Sequence, residues 1–193
     1  MLILILGLVL FLGAHSVRIF AEGWRMDMIS RLGAQRWKGL YSLVSIAGLA
    51  LIVWGFAQAR HGAPQLWAPP IWARHLNLLI MLVSLILFAA ANPKPSHYKA
   101  FLHHPMVWGV ILWSGGHLLA NGTAADAVLF GAFFVWGVLD LFAARARDRR
   151  ERVIYAAPQW RSTIIATVAG AVVWAVFVFW AHLWLFGVSP LAR

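Results

Sequence analysis

Apolar residues run along this chain in six long stretches, at about residues 2–20, 39–59, 71–91, 105–122, 123–144 and 162–187. Each suits a helix of about 20 residues, the length that crosses a bilayer core. The punctuation between the runs fits that division. Pro69-Pro70 opens the third run and Asn92-Pro93 closes it. His104-Pro105 opens the fourth, with proline at a helix start where its missing N–H does no harm. Asn121-Gly122 reads as a tight turn, which makes the fourth and fifth helices an antiparallel hairpin. Between the first two runs, Trp24 to Trp37 sets Met28, Ile29 and Leu32 among charges, the pattern of a helix lying on the membrane surface. The expected fold is all-α, an integral membrane bundle of about six transmembrane helices forming one domain over residues 1–193. No internal repeat is visible.

Composition agrees. Hydrophobic residues make up 62% of the chain and charged residues 11%, against about 25% charged in an ordinary soluble domain. The formal net charge of +10 comes from 16 basic and 6 acidic residues. The basic residues gather at the ends of the apolar runs, where lipid headgroups lie, so the lipid bilayer is the expected partner and nucleic acid is not. They are also unevenly shared. Arg18, Arg25, Arg31, Arg36, Lys38, Lys94, Lys99, Arg145, Arg147, Arg149, Arg150, Arg152 and Arg161 fall in the odd-numbered loops, against Arg60, Arg74 and Arg193 on the other side. The odd loops are therefore expected in the cytoplasm and both termini on the periplasmic side. The first run has no basic residues before it, and Arg18 follows it, so it reads as a retained helix and not a cleaved signal.

Ionisable and amide side chains within a span are costly and mark candidate function. They are His15, His75, Asn77, His117, Asp140 and His182. His61, His97 and His103 read as solvated or headgroup-contacting, and Asp140 as a partner of Arg145 or Arg147 near the basic end. The absence of cysteine excludes disulfides and thiolate-ligated metals. No carboxylate lies deep in a span, which excludes di-metal carboxylate chemistry. Histidines on different helices suit an imidazole-binding metal or a haem. Gly115-Gly116 beside His117 would admit a flat ligand, and Trp113 lies one turn back on the same face. Arg18 follows His15 by three residues, placed to meet a propionate. With untilted spans, His15 lies about 20 Å and His117 about 12 Å below the outer edge, and their side chains lean toward each other. That ranks His15 with His117 first as a metal pair, and His75 with His117 second, because the latter pair diverges. The ordinary reading of each histidine is a hydrogen bond to a neighbouring carbonyl or hydroxyl.

Gly-Ala-His-Ser at 13–16, Arg-Leu-Gly-Ala-Gln-Arg at 31–36, Trp-Ala-Arg-His at 72–75, His-Pro at 104–105 and Leu-Trp-Ser-Gly-Gly-His-Leu-Leu-Ala-Asn-Gly at 112–122 together resemble the NnrU family. The resemblance covers essentially the whole chain. It implies a multi-pass protein of the bacterial inner membrane associated with denitrification and nitric-oxide metabolism. That family is in turn similar to the plastid zeta-carotene isomerase, a haem b enzyme that turns a cis double bond of a carotene precursor to trans. By motif, His15 and His117 match its haem-ligating histidines, His104 matches its His-Pro histidine, and His61 stands near a further loop histidine. The isomerase has a cysteine where this chain has Ser114, so a histidine-to-cysteine ligand exchange is impossible here. The resemblance thus implies haem b as cofactor and an apolar polyene or a nitrogen oxide as the small-molecule partner. A haem-free transporter of a small nitrogen compound, or an assembly factor for a respiratory complex, stands as the alternative. Oligomeric state is open from sequence.

Overall fold

The computed structural model describes residues 1–92 and 94–191. Pro93 and Arg193, which entered the reading of the third run and of the orientation, lie outside the described residues. The helices are α1 (Leu2–Phe20), α2 (Glu22–Leu32), α3 (Ala34–Ala59), α4 (Ile71–Ala89), α5 (His97–Leu102), α6 (Pro105–Ala120), α7 (Ala124–Glu151) and α8 (Trp160–Phe186). A single π-helical turn, Phe177–Ala181, interrupts α8. The architecture is that of an all-helical, multi-pass membrane protein. Among the described residues five helices, α1, α3, α4, α7 and α8, are long and apolar enough to cross a membrane.

The fourth expected span is shorter than the sequence suggested. Asn121 leaves the helical region at φ −132°, so α6 has 16 residues and is about 24 Å long, short of a core of about 30 Å. The turn after it is held from outside. Leu66 and Trp67 donate their backbone N–H groups to the Gly122 carbonyl at 2.7 and 3.2 Å, and Ala124 donates to Pro64 at 2.9 Å. A Cβ at residue 122 would strike the Trp67 carbonyl, so only glycine fits under this strap. The expected hairpin of α6 and α7 is present, with a Thr123–Asp126 capping box starting the second arm.

Two boundaries differ for the opposite reason. The fifth run was expected to end near residue 144, but α7 continues to Glu151. Alanine, arginine and glutamate favour helix, and charge does not stop one that has left the lipid. Arg145, Arg147, Arg149 and Arg150 therefore ride on a helical extension and not in a loop. The amphipathic stretch from Trp24 to Trp37 is two pieces. Gly33 takes a φ of +83° that ends α2 and lets α3 begin at Ala34. Trp37 belongs to α3 and meets Trp24 edge-on at 5.7 Å. The Arg25–Glu22 and Arg31–Asp27 pairs run along α2, which has no buried residue.

Helix neighbours follow the order α3, α1, α7, α6, α4, α8, with α3 and α8 at its two ends. The closest approach is between α1 and α3. A Cβ at Gly7 would lie 2.6 Å from the Ile52 nitrogen, and one at Gly48 would lie 2.7 Å from that of Phe11. One at Gly55 would collide with Leu4. Leu4, Leu8 and Ile52 are buried in this seam with Leu129 and Phe130 of α7. Hydrogen bonds join the other helices: the fully buried Ser84 donates to Gly109 at 2.8 Å, and Trp174 Nε1 donates to Leu78 at 2.8 Å. Of the glycines singled out in the sequence, Gly48 and Gly170 serve contacts within the chain, while a side chain at Gly131 would meet nothing within 4 Å.

Gly55→Val is expected to destabilise the fold by about 3 kcal/mol through forced separation of α1 and α3. Gly131→Ala is expected to remain within about 1 kcal/mol of wild type or exceed it. Unfolding by dodecyl sulfate titration, followed by circular dichroism, compares the two; equal losses would show that the seam is not what holds α1 to α3.

Candidate functional site

His15 of α1 and His117 of α6 are held in the same way. His15 Nδ1 lies 2.7 Å from the Phe11 carbonyl, and His117 Nδ1 lies 2.8 Å from the Trp113 carbonyl. Each is a contact back to residue i−4, where a carbonyl still has a second lone pair. A carbonyl can only accept, so Nδ1 carries the proton and the neutral ring keeps a free lone pair on Nε2. Among the described residues neither Nε2 has a hydrogen-bond partner. The tautomer is the one in which a ring orients itself through Nδ1 and can ligate through Nε2.

Aromatic rings surround both. His15 stacks on Phe11 with centroids 4.2 Å apart, meets Tyr41 at 5.2 Å and faces the edge of Trp136 at 6.0 Å. His117 stacks on Phe130 at 4.6 Å with Trp113 at 5.6 Å. Phe133 joins the two groups, 5.8 Å from Phe11 and 5.2 Å from Trp113. The rungs Phe130, Phe133 and Trp136 all come from α7, which lies between α1 and α6. His15 sits at the level of Trp136 and His117 at that of Phe130, six residues or about 9 Å apart along α7. Phe133 and Trp113 occupy the interval. Trp113, at i−4 from His117, was read from the sequence; Phe11, at i−4 from His15, and Phe130, Phe133 and Trp136, at intervals of three, were missed, although their spacing was the signal that could have found them. That these stripes face one another was not legible there.

The Gly115-Gly116 pair does different work from the one expected. A side chain at residue 115 would press on the Phe134 ring at 3.3 Å, and one at residue 116 would strike Asn77 of α4. Both glycines admit neighbouring protein, because α6 is clasped between α7 and α4. Asn77 Oδ1 is buried there without a hydrogen-bond partner among the described residues. His75, two residues earlier and about 200° round the helix, is exposed. The structure therefore does not bring His75 to His117. Ser114 is fully buried and donates to the Val110 carbonyl at 2.7 Å.

Near His15, Asp140 pairs with Arg147, Oδ1 to Nη2 at 3.8 Å, as the sequence suggested; Arg145 instead lies over the Trp108 ring at 5.7 Å. Arg147 also donates to the Arg18 carbonyl at 3.4 Å, while the Arg18 side chain is exposed. His104 is engaged elsewhere. Its Nε2 lies 2.8 Å from Asp148 Oδ2, which also accepts from the Tyr155 hydroxyl at 2.6 Å. His103 stacks on Tyr155 at 4.3 Å. His97 was expected to be solvated, yet its ring bonds Thr163 Oγ1 at 2.9 Å and packs on Trp160. His182 Nδ1 bonds the Val188 carbonyl at 2.7 Å, and His61 is exposed.

Among the described residues no three histidine, aspartate or glutamate side chains gather to hold a bare metal ion. His15 and His117 offer two imidazole nitrogens, a donor type that holds haem iron. The donor chemistry fits a haem: two oriented imidazoles, an aromatic lining, and Arg18 and Arg147 close by.

Burial and the bond to the Asp148 carboxylate raise the Tyr155 phenol above its usual range. The bond therefore stabilises the fold below about pH 10, the ordinary tyrosine value, and its contribution falls as pH rises beyond that. Tyr155→Phe is expected to cost about 1 kcal/mol at pH 8, a value reduced for solvent screening. The gap between wild type and variant should narrow from pH 10 to 11 in the same unfolding titration; a constant gap would deny the bond to Asp148.

Comparison with curated proteins gave no match, and comparison with solved structures gave none. A family model described as NnrU protein matches residues 3–190. With nearly the whole chain matched, this protein belongs to the NnrU family.

Proposed function

We propose that this protein binds haem b in the membrane, with His117 as the retained histidine and His15 as the second residue that would hold it. The observation that carries the reading is the matched pair of imidazoles, each fixed through Nδ1 to a backbone carbonyl with Nε2 left free. Polar nitrogens inside a bilayer are costly to leave without a partner, and a haem iron would give them one. His117 is the better anchored of the two, stacked on the buried Phe130 and braced by Trp113. His15, about 9 Å away along α7 with Phe133 and Trp113 between, would be the weaker hold.

Bound haem would supply an iron able to exchange electrons or to take a ligand such as nitric oxide at an open position. The residues of this chain hold the ring system, exclude water through Phe11, Trp113, Phe130 and Phe133, and offer Arg18 and Arg147 to its carboxylates. Ser114 cannot take a cysteine's place as ligand, since its hydroxyl is buried and committed to α6. The activities this supports are redox chemistry or cis–trans isomerisation of a polyene, in a setting of denitrification or nitric-oxide metabolism. The excess of arginine at one end of the bundle supports placing that end in the cytoplasm, with both termini in the periplasm of a bacterial inner membrane.

Protein expressed with haem supplied and purified in mild detergent is expected to show a b-type spectrum on reduction. His117→Ala should lose at least most of the bound haem. His15→Ala should keep haem but bind carbon monoxide more readily, because one axial position is opened. A colourless wild type, with helicity intact, would sink the reading.

A further inference from the structure

The basic end of the bundle contains a second concave site, separate from the histidine pair. The extension of α7 and the segment after it close over the corner between α5 and α6, leaving a cleft of about 630 Å³. Arg145, Arg149, Arg152 and His103 line it together with Asp148 and Tyr155. Asp148 is the one acid present, and its Oδ2 already takes His104 and the Tyr155 hydroxyl. Among the described residues none of the three arginines has a carboxylate within 4.0 Å, since the pairs found involve Arg25, Arg31, Arg147 and His104. Three guanidinium groups on one concave surface repel each other unless an anion joins them, and their forked donors match a phosphate.

The backbone marks the same place. Among the described residues the non-glycine positions with positive φ are His103 at 63° and Arg152 at 52°, and both line this cleft. Such conformations cost energy and persist where the surroundings impose them, often at binding sites. The apolar side chains add a third feature. Phe101, which lines the cleft, is 82% exposed, and Ile154, next in the chain to the lining residue Val153, is 94% exposed.

We propose that this cleft binds a phosphate-bearing anion through Arg145, Arg149 and Arg152. The bonds from His104 and Tyr155 to Asp148 occupy the carboxylate that would otherwise oppose it. The phosphate belongs either to the headgroup of an anionic phospholipid, whose chains would meet Phe101 and Ile154, or to a free phosphate compound.

The full chain in nanodiscs of phosphatidylcholine containing phosphatidic acid, and in pure phosphatidylcholine with added inorganic phosphate, tests both sources. Native mass spectrometry reads retained lipid, and titration calorimetry reads phosphate. Wild type is expected to retain phosphatidic acid over phosphatidylcholine. The double variant R149Q/R152Q, altered only at exposed side chains, should weaken that binding at least about tenfold with unchanged circular dichroism. Tyr155→Phe should weaken it less, by freeing Asp148. Displacement of phosphatidic acid by inorganic phosphate would identify the free phosphate group as sufficient, and retention against it would identify the lipid. Absence of binding to either probe, or binding that R149Q/R152Q leaves unchanged, overturns the proposal.

Discussion

Helices in a bilayer gain nothing by hiding apolar side chains from lipid, because lipid is equally apolar. They associate where backbones can come close and where polar groups can be shared. Here that constraint is met by glycine. Gly7, Gly48 and Gly55 let α1 and α3 meet backbone to backbone, Gly170 seats α8 on Ile86 of α4, and Gly137 receives Ile111. Ser84 and Trp174 then tie α4 to α6 and α8 through backbone carbonyls. The neighbour order that results sets α7 between α1 and α6. Everything at the candidate site follows from that placement.

With α7 in the middle, its aromatic stripe faces the two histidine-bearing helices together. Each imidazole finds a carbonyl on its own helix for one nitrogen, and a helix offers nothing comparable for the other. The geometry of hydrogen bonding therefore leaves two nitrogens with lone pairs in an aromatic seam, about two turns apart along α7. Unpartnered buried atoms nearby, Asn77 Oδ1 and Trp136 Nε1, belong to the same economy, in which polar groups sit where water does not reach. Such sites are costly in lipid, and their persistence is the physical reason for reading function into them.

The basic end obeys different rules, because α7 overshoots the lipid. Beyond the bilayer its arginines are solvated, so they can gather without the desolvation cost they would carry inside. Asp140–Arg147 marks the inner limit of that region, with both side chains mostly buried, and Asp148 marks the outer one. Between these levels the protein passes from a lipid-facing seam to a polar corner in about two turns of one helix.

The sequence by itself determined the class of fold, the apolar runs that become helices, the hairpin at Asn121-Gly122, and the place of His15 and His117 on helices of the bundle. Those features depend on local physics: hydrophobic length, proline and glycine at ends, and the rarity of polar residues in a span. Trp113, at i−4 from His117, was equally local and was read directly, whereas Phe11, at i−4 from His15, was as local and was missed. The tertiary structure decided what periodicity cannot carry, namely which faces meet. It gave Gly115 and Gly116 to Phe134 and Asn77, turned His75 outward, committed His104 to Asp148, and tied His97 to Thr163. It also extended α7 past its apolar run, since helix propensity outlasts hydrophobicity once water can take the charges. Span length is written in consecutive residues, whereas partnership depends on the order in which helices pack, and that order follows from backbone approach between segments far apart in the chain.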